Sequence, residues 1–406
     1  MEKLDSSWRD VAPDDTLQIA KHCAPLLGIS RVTDVTRLDR IGIPVYSSIR
    51  PDALRSSLCV NAGKGLKSVD AMVGAYMEAI EFAWAEPRRA FVKRIETSPE
   101  EVSSQCNFAS QFVSLCPVLG TEVVPDGLIE GTIAQDFHSG SDVIIPLELV
   151  LSPIEDLKGQ SIFGTSTNGL SSGNSLHEAV LHGICEVIER DVQAFNFFCD
   201  ESVSVDVCAG PDALVSLAEQ ILNAGMQLSL RYTPNQFGLP FMQAYILAPD
   251  SDPIRVSHGT GLHLSSKVAA VRAITEAAQS RLSYIHGGRD DLTVRKEYFE
   301  KAPEGTERSA TEKLIKKAFN QKNSIQFGEI NSFKLASISD ALQTLRNILT
   351  SQGMDQVLVV QLSPDDFPLA VVKTIVPKLE SFSPRLKRFG PRLKEFVRAI
   401  PDERFS

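Results

Sequence analysis

The sequence predicts a mixed α/β protein, because short runs rich in β-branched residues alternate with long helical patterns rich in alanine. The clearest helical patterns cover residues 68–85, 174–191 and 266–285. Apolar residues recur in them at the spacing of a helix with one buried face. The chain has 406 residues, which is enough for a large core and more than one subdomain.

The composition and net charge argue against several classes of function. Hydrophobic residues make up 43% and charged residues 23% of the chain, as in ordinary globular proteins. The net charge of −10 argues against non-specific nucleic-acid binding. The first residues, MEKLDSSWRD, do not resemble a signal peptide, no apolar run is long enough to span a membrane, and the seven cysteines form no CxxC pair. We therefore expect a cytoplasmic protein with reduced thiols that binds neither nucleic acid nor membrane.

In the N-terminal part, glycine and proline residues mark the ends of the predicted elements. Gly28 follows a helical pattern, Pro51 follows a strand pattern, and Pro87 follows a helix that Ser68 is predicted to cap. The predicted elements are a partly helical preamble over 1–30, a strand pair around Pro44 over 41–50, a strand over 58–65 and a helix over 68–85.

The rest of the chain combines regions with clear helix and strand patterns and regions without them. Residues 97–165 look irregular, with short strands such as 143–150, and Thr165–Gly173 is small and polar, as loops are. A charged helical region follows over 292–325. The basic segment after Pro384 is predicted to be amphipathic or loosely attached, and such a run is usually a solvated face. Further helices are predicted over 212–225, 266–285 and 338–351, and strands over 226–233, 241–247, 256–264, 356–362 and 369–376.

An acidic stripe distinguishes the helix that Asn174 or Ser175 is predicted to cap. Four side chains fall within an arc of roughly 120° at the helical period. They are Asn174, Glu178, Glu186 and Glu189. The three glutamate carboxylates among them repel each other unless a cation lies between them. They suit Mg²⁺, and a Ser/Gly-rich loop before a helix suits phosphate oxygens, so we predict a Mg–nucleotide site. The alternative is an exposed acidic helix face.

Two other helices repeat this arrangement, with Glu78 and Glu81 on one and Glu276 and Gln279 on the other. Lys64 lies between two glycines before the first of them, but GxxxxGK[ST] is absent, so no Walker loop is predicted. Taken singly, these residues are typical of a turn lysine and of solvated faces. Together, three helix faces are what a site needs in which Mg²⁺ bridges carboxylates and phosphates.

Three blocks of sequence contain these residues: GKG…A…EAIE at 63–81, SxNG…SGNxxxEAxxxGxxExxERD at 166–191 and AxTEAxQSRxxxxxGxRDD at 273–291. They resemble the signature blocks of the YcaO family. LDRIGIPVYSSIRP, IVPKLE and Gly390-Pro391-Arg392 also look like that family, so the resemblance runs from about Gly28 to Arg392. It implies antiparallel and mixed sheets with helices around a central ATP–Mg site. The implied domains are a preamble over 1–45, a YcaO domain over 46–395 and a tail over 396–406.

The resemblance implies roles for individual residues. Ser171, Asn174 and Glu178 would contact ATP, and Lys64 would lie near its phosphates. The residues implied as Mg²⁺ ligands are Glu78, Glu81, Glu178, Glu186 and Glu189. The implied catalytic residues are Glu186, Glu189 and Arg190, with Arg190 contacting phosphate and able to pair with Glu186 as well. Glu276, Gln279 and Arg281 would line the nucleotide pocket.

The implied chemistry is ATP-dependent modification of peptide backbone amides. A nucleophile adds to the amide carbonyl, the oxyanion is phosphorylated, and phosphate leaves, while the protein positions and neutralises the reacting groups. A Cys, Ser or Thr side chain gives an azoline, and external sulfide gives a thioamide.

Thioamide formation is favoured slightly, because the sequence ends AIPDERFS without the proline-rich tail of many azoline-forming relatives. LDRIGIPV also looks like the thioamide-forming members that work with a TfuA protein. The expected partners are a substrate peptide or protein, a TfuA-like or leader-binding protein, and a second copy in a homodimer. The alternatives are a cyclodehydratase, a non-catalytic scaffold that binds a peptide or a partner, and an ATP-dependent ligase or kinase that attacks a carboxylate.

Overall fold

A computed structural model describes residues 1–105, 112–288, 299–320 and 323–401. The chain divides into two compact units, each built from two segments. The first unit comprises Met1–Ile80 and Glu201–Ala336, and the second comprises Glu81–Asp200 and Ser337–Ser406. Both units combine helices with sheets, as the predicted mixed α/β class requires. The predicted division at residues 45 and 395 stays a prediction.

Sixteen strands are defined within the described residues. In chain order they are β1 (Glu2–Lys3), β2 (Trp8–Arg9), β3 (Arg31–Asp34), β4 (Val45–Ile49), β5 (Val60–Lys64), β6 (Ile95–Thr97), β7 (Ile129–Asp136), β8 (Asp142–Pro146), β9 (Leu170–Gly173), β10 (Val203–Asp206), β11 (Gln227–Tyr232), β12 (Phe241–Leu247), β13 (Val256–Leu262), β14 (Ser324–Gln326), β15 (Leu358–Gln361) and β16 (Ala370–Ile375).

The α-helices of the described ranges agree with most of the helical patterns in the sequence. In chain order they are α1 (Pro13–Cys23), α2 (Ser68–Ala85), α3 (Pro99–Ser104), α4 (Leu176–Phe198), α5 (Asp212–Asn223), α6 (Ser266–His286), α7 (Thr306–Ala318), α8 (Ile338–Ser351) and α9 (Pro391–Ala399). None of the helices in these ranges combines the length and apolar character that a membrane span needs. The cytoplasmic location stays a prediction.

The first unit contains a five-stranded sheet in the order β13-β12-β11-β10-β14 and a three-stranded sheet in the order β3-β4-β5. Neighbouring strands are antiparallel, except that β10 and β14 are parallel. Helix α6 packs on β12 and β13. A Cβ atom at Gly259 would lie 2.3 Å from the Ala277 nitrogen, and one at Gly261 would lie 2.4 Å from the Ala269 carbonyl oxygen. Glycine at both positions therefore lets the helix backbone rest on the strand.

The second unit contains an antiparallel sheet in the order β6-β7-β15-β16-β9, with β8 also paired to β7. Helix α4 packs on β9 and β16. A Cβ atom at Gly183 would lie 2.3 Å from Thr374 Oγ1 and 2.8 Å from Ser171 Oγ. Glycine in the middle of α4 thus allows the acidic helix to lie directly on these two strands.

Three predicted elements were wrong in part. Residues 41–44 form no strand, since Pro44 has no N–H for a sheet, and its carbonyl oxygen instead accepts the Gly65 N–H at 3.2 Å. Leu170–Gly173 is strand β9 rather than loop, because β16 supplies it with a partner. The region 97–165 contains the eight-residue strand β7, and the strand predicted at 143–150 ends at Pro146. Buried polar residues such as Glu130 and Thr132 obscured the pattern of β7.

The segment after Pro384 contains an amphipathic helix with Leu393 buried, as one of the predicted alternatives, but the prediction of a loosely attached or solvated segment was wrong. Arg388 is buried, and its guanidinium donates to the carbonyl oxygens of Phe163 and Gly164, both at 2.8 Å. Arg392 pairs at 2.6 Å with the buried carboxylate of Asp191 on α4. The basic segment is therefore bound to the second unit through specific contacts. Burial raises the pKa of Asp191 to about 6, although Arg392 opposes the shift.

A second buried carboxylate holds the start of α9. Glu380 accepts the backbone N–H groups of Gly390 at 2.6 Å and Leu393 at 2.9 Å. The Glu380 N–H in turn donates to Asp191 at 2.7 Å. We call Asp191, Glu380 and Arg392 the C-terminal clamp. Anions are stabilising at a helix N-terminus, so the clamp both caps α9 and ties it to α4.

Some predicted features lie outside the described residues. They are Arg289, Asp290 and Asp291 of the third sequence block, Cys106, residues 292–298 and 321–322 of the charged region, and the terminal residues 402–406.

Candidate nucleotide and metal site

In the first unit, strand β5 connects the predicted residues of two helices. Lys64 Nζ lies 2.8 Å from Glu276 Oε2 on α6. Glu78 of α2 accepts the Ala62 N–H at 2.7 Å, and Gln279 of α6 donates to the Ala62 carbonyl oxygen at 3.2 Å. The structure thus brings Lys64, Glu78, Glu276 and Gln279 around one strand.

The two glycines beside Lys64 explain this arrangement. A Cβ atom at Gly63 would lie 2.0 Å from the Ala75 nitrogen, and one at Gly65 would lie 2.8 Å from the Ala71 nitrogen. Both positions therefore face the backbone of α2. Because side chains alternate along a strand, Lys64 points away from α2 and reaches Glu276 on α6. The two glycines of GKG thus let β5 pack closely on α2, and the lysine between them is directed toward α6.

Arg281 differs from its predicted neighbours. Its guanidinium contacts Asp39 at 3.0 Å and both carboxylate oxygens of Asp252 at 2.8 and 3.1 Å, and it also donates to the Ile254 carbonyl oxygen. Its side chain is only 5% exposed. These contacts give Arg281 a structural role, and its place in the nucleotide pocket stays a prediction.

In the second unit, the predicted residues gather at the N-terminus of α4. Ser175 caps the helix and accepts the Glu178 N–H at 3.1 Å, as one of the two predicted caps. Asn174 Nδ2 lies 3.3 and 3.2 Å from the two carboxylate oxygens of the buried Glu178. Ser171 donates to the Ala179 carbonyl oxygen at 2.9 Å and ties β9 to the helix.

About three turns further along α4, one arginine lies between two glutamates. Arg190 is 3.7 Å from Glu186 and 3.5 Å from Glu189, and it also donates to Gln193 at 2.9 Å. The side chains of Arg190 and Glu186 are 39% and 28% exposed, whereas Glu189 is buried. This is the predicted Glu186–Arg190 pair, and its exposure leaves both groups within reach of a ligand.

Glu81 joins the same unit through β9. Its Oε1 accepts the Ser172 hydroxyl at 2.6 Å. Glu78 and Glu81 are three residues apart on α2, yet the boundary between the units falls between them. The predicted acidic pair is therefore divided between the units, and each carboxylate has polar partners in its own unit.

Sequence reasoning missed Lys373 on β16, which is only 2% exposed. Its Nζ donates to the Ser166 carbonyl oxygen. Burial and the nearby charge of Arg388 lower the pKa of Lys373 to about 7, against the opposing effect of Glu186. The signal was available, since Lys373 interrupts the apolar run LAVVKTIV, which otherwise indicates a buried strand.

The donor set fits Mg²⁺ held together with a nucleotide. Among the described residues, no three His, Cys, Asp or Glu side chains form a group that could hold a metal ion alone. Mg²⁺ is commonly bound by one or two carboxylates plus water and substrate phosphates, so it needs no such group. Glu186 and Glu189 are one helical turn apart and supply two carboxylates, and Arg190 supplies a bidentate donor suited to phosphate.

Comparison with known proteins identifies the family. Residues 62–380 match the family model described as YcaO cyclodehydratase, ATP- and Mg²⁺-binding. The chain belongs to the YcaO family. This confirms the predicted family, its ATP-dependent enzyme class, and ATP and Mg²⁺ as its cofactors. The roles of individual site residues stay predictions.

Relatives extend over nearly the whole chain. An uncharacterized protein of Methanothermobacter thermautotrophicus is 34% identical over 381 residues, which are 92% of this chain and 95% of that protein. An uncharacterized protein in the tfuA 3′ region of Rhizobium leguminosarum bv. trifolii is 32% identical over 389 residues, which are 92% of this chain and 88% of that protein.

Solved structures confirm the predicted fold. YcaO from Methanopyrus kandleri, bound with AMPPCP and Mg²⁺, matches with a TM-score of 0.73 at 21% identity, over 95% of this chain and 96% of that chain. A heterocyclase in complex with substrate and cofactor matches with a TM-score of 0.74 at 20% identity, over 95% of this chain and 54% of that chain.

Proposed function

We propose that this YcaO enzyme converts a peptide backbone amide into a thioamide, using ATP, Mg²⁺ and a sulfur donor. The observation that carries the proposal is the relative in the tfuA 3′ region, which is similar over 92% of this chain. By the family resemblance, a TfuA-like protein is the proposed partner for sulfur delivery. A homodimer and the predicted domain boundaries form part of the same proposal.

The proposed reaction exchanges the amide oxygen for sulfur. Sulfide adds to the amide carbonyl carbon, and the resulting oxyanion is phosphorylated at the expense of ATP. The carbon–oxygen bond then breaks and phosphate leaves, while the carbon–sulfur double bond forms and the sulfur loses its proton. Bound ATP and Mg²⁺ supply the phosphoryl group and the neutralising charge that make the amide oxygen a leaving group.

The chain's own residues would position these reactants. Glu186 and Glu189 would hold Mg²⁺ in the second unit, and Glu78 and Glu81 would add carboxylates from α2. Arg190 would hold phosphate oxygens through its planar guanidinium. The remaining nucleotide contacts are proposed for Lys64, Ser171, Asn174, Glu178, Glu276, Gln279 and Arg281.

Azoline formation is the second candidate, because the matching family model carries the name cyclodehydratase. The same site would then activate an amide beside a Cys, Ser or Thr, whose side chain replaces external sulfide. The two reactions differ in product mass. A thioamide exchanges oxygen for sulfur, whereas an azoline loses one water.

The test is Glu189→Gln, introduced into the chromosomal gene of the source organism. Gln193 Nε2 donates to Glu189 Oε1 at 3.3 Å, and a glutamine at 189 keeps an oxygen for this contact. We therefore expect a folded protein that has lost ATP turnover, since one metal-binding charge is gone. Mass spectrometry of the cell's proteins should show an oxygen-to-sulfur exchange in wild-type cells and not in the variant.

Glu219→Gln on α5 is the matched control, because Glu219 is an exposed glutamate outside the site. It should retain both ATP turnover and the modified protein. Loss of water at Cys, Ser or Thr in place of sulfur exchange would favour the cyclodehydratase. Identical proteomes in wild-type and Glu189→Gln cells would contradict both activities and favour a scaffold.

A further inference from the structure

Three contacting phenylalanine rings form a patch where α4 ends. The ring centroid of Phe197 lies 5.2 Å from that of Phe198 and 5.3 Å from that of Phe382, and the last two are 4.9 Å apart. Phe197 is 56% exposed, and Phe198 and Phe382 are only partly buried. We call these three rings the aromatic patch. A single exposed apolar side chain is ordinary, but several in contact are typical of a surface that binds a partner.

The two chain segments beside the aromatic patch carry basic side chains. One is the loop that follows Phe382, and the other is α9, whose Phe396 ring lies 5.1 Å from the Phe195 ring of α4. Arg392 of α9 pairs with Asp191, but four other cations have no carboxylate partner in the described part of the chain. They are the exposed Arg385, Lys387 and Arg398 and the half-buried Lys394. Surfaces that bind each other carry complementary charge, so these cations favour an acidic partner.

An acidic protein segment fits this surface better than a nucleic acid or a membrane does. The whole chain has a net charge of −10, so an extended polyanion or an anionic bilayer would be repelled by much of the molecule. A short segment meets only the charges within a Debye length of about 8 Å. Its apolar side chains would cover the rings, and its carboxylates would pair with the cations.

The aromatic patch continues a stripe of exposed side chains along α4. Arg190 and Phe197 are seven residues apart, and Glu186 precedes Arg190 by four, so all three lie on one face of the helix. The side chains of Glu186 and Arg190 are 28% and 39% exposed. Seven residues span about 10 Å of helix, which is the length of roughly three residues of extended peptide. A segment docked on the aromatic patch can therefore place a neighbouring amide beside Arg190.

We propose that the aromatic patch and the four cations beside it dock the peptide substrate, and that this substrate carries acidic and apolar residues roughly three positions from the amide that is modified. The inference deepens the proposed function and rests on it, because it takes Arg190 as the phosphate contact next to the reacting amide. The patch lies away from the reacting atoms, so it sets the affinity for the substrate and not that for the nucleotide.

Fluorescence anisotropy of the full chain with labelled polypeptides tests the docking surface. The probe is a fluorescein-labelled copolymer of glutamate and tyrosine, which supplies carboxylates and rings together. We expect it to bind about tenfold more tightly than polyglutamate, and a copolymer of lysine and tyrosine to bind most weakly. Added salt should weaken the binding, because it screens the exposed cations.

Two variants address the rings and the charges separately. Phe197→Ser removes the most exposed ring of the aromatic patch, and the double variant Lys394→Glu, Arg398→Glu reverses two charges on α9. Each should weaken binding of the glutamate–tyrosine copolymer by about tenfold and leave the calorimetric affinity for Mg–AMPPCP at the wild-type value. Because the variants alter different groups, a folding defect in one leaves the other as a test.

The matched controls alter similar groups in the other unit. Leu222→Ser removes a 67% exposed apolar side chain from α5, and Lys313→Glu with Lys316→Glu reverses two exposed charges on α7. These positions belong to the first unit, whereas the aromatic patch belongs to the second. Both controls should bind the copolymer as the wild type does.

The link to the substrate is tested in cells. Phe197→Ser in the chromosomal gene should lower the amount of protein that carries an oxygen-to-sulfur exchange, and Leu222→Ser should not. In the modified protein, acidic and apolar residues should lie roughly three positions from the sulfur-bearing amide.

Some outcomes would overturn the inference and leave the proposed function intact. One is a wild-type chain that does not prefer the glutamate–tyrosine copolymer, and another is Phe197→Ser cells that keep the full amount of modified protein. Tighter binding to phosphatidylserine vesicles or to single-stranded oligothymidylate than to the copolymer would assign the surface to a membrane or a nucleic acid. A change from dimer to monomer in Phe197→Ser would assign it to a second copy of the chain.

A different result would overturn the proposed function itself. If wild-type cells contain no modified protein, the assignment of the aromatic patch to a substrate fails together with the proposed reaction.

Discussion

Arg190 in the second unit and Arg281 in the first were both expected to contact the nucleotide, yet their surroundings differ. Arg281 is 5% exposed and contacts two aspartates and a carbonyl oxygen. Arg190 is 39% exposed, and its carboxylate partners lie at 3.5 and 3.7 Å. Burial lowers the pKa of Arg281, but the hydrogen bonds and negative charges of Asp252 and Asp39 together outweigh burial and raise the pKa above its usual value.

The difference separates a structural arginine from one suited to a ligand. A buried arginine with well-placed partners contributes to folding, because removing it leaves buried carboxylates uncompensated. An exposed arginine with longer contacts contributes little to stability and can exchange its partners for phosphate oxygens. Substitution of Arg281 should therefore lower mainly the stability, and substitution of Arg190 should lower mainly the turnover.

The largest expected effect is on folding at the buried position. Arg281→Met should lower the free energy of unfolding by about 3–5 kcal/mol, because Asp39 and Asp252 lose the cation that they share. Chemical denaturation measures this change. The control is Arg308→Met on α7, which removes an exposed pair with Glu312 and should cost at most about 1 kcal/mol. Equal costs for the two variants would remove the distinction drawn here.

At Arg190 the effect should fall on turnover. Arg190→Met should reduce ATP turnover by about 10²- to 10³-fold, as losing one preorganised donor to a transition state does, and change stability by less than about 1 kcal/mol. Arg190→Lys keeps a charge but loses the planar fork, so its turnover should lie between those of wild type and Arg190→Met. Normal turnover combined with a large loss of stability in Arg190→Met would make Arg190 a structural residue like Arg281.

Mild acid should have a smaller effect on stability than these substitutions, and the buried groups of the first unit should differ in their response to it. Desolvation raises the pKa of Asp252, but Arg281 outweighs it and lowers the pKa below 3.8, so this pair stays charged between pH 7 and pH 5. His263 behaves differently in the same unit, because burial lowers its pKa from 6.5 to about 3. The folded protein resists protonation of His263, whereas the unfolded chain accepts a proton near pH 6.5. The stability that neutral His263 contributes is therefore fully present above pH 6.5 and is lost as the pH falls toward its folded pKa.

We therefore expect His263 to cost the fold about 2 kcal/mol between pH 7 and pH 5. Thermal unfolding over this range, compared with His263→Asn, measures the cost. The asparagine oxygen is suited to replace Nδ1, which accepts the Ser265 N–H at 3.1 Å. Equal acid sensitivity of the two proteins would show that other groups control stability in this range.

Local signals in the sequence predicted most helices and several site residues. The apolar spacing and the Ser175 cap predicted α4, because the information lies within one turn of the helix. Strand β9 was missed, since LSSG has no strand-like composition and its pairing depends on β16, about 200 residues away. Arg281 could not be distinguished from Arg190, because its partner Asp39 is 242 residues away in the chain.

The C-terminal clamp has a consequence for how the chain is made. Asp191 and Arg392 are 201 residues apart, and much of the first unit is synthesised between them. Until Glu380 and Arg392 emerge, a nascent second unit carries Asp191 without the partners that make its burial tolerable. Closing so long a loop is slow, and incomplete folds are prone to aggregation. Chaperone dependence should therefore concentrate in the interval between synthesis of α4 and synthesis of α9.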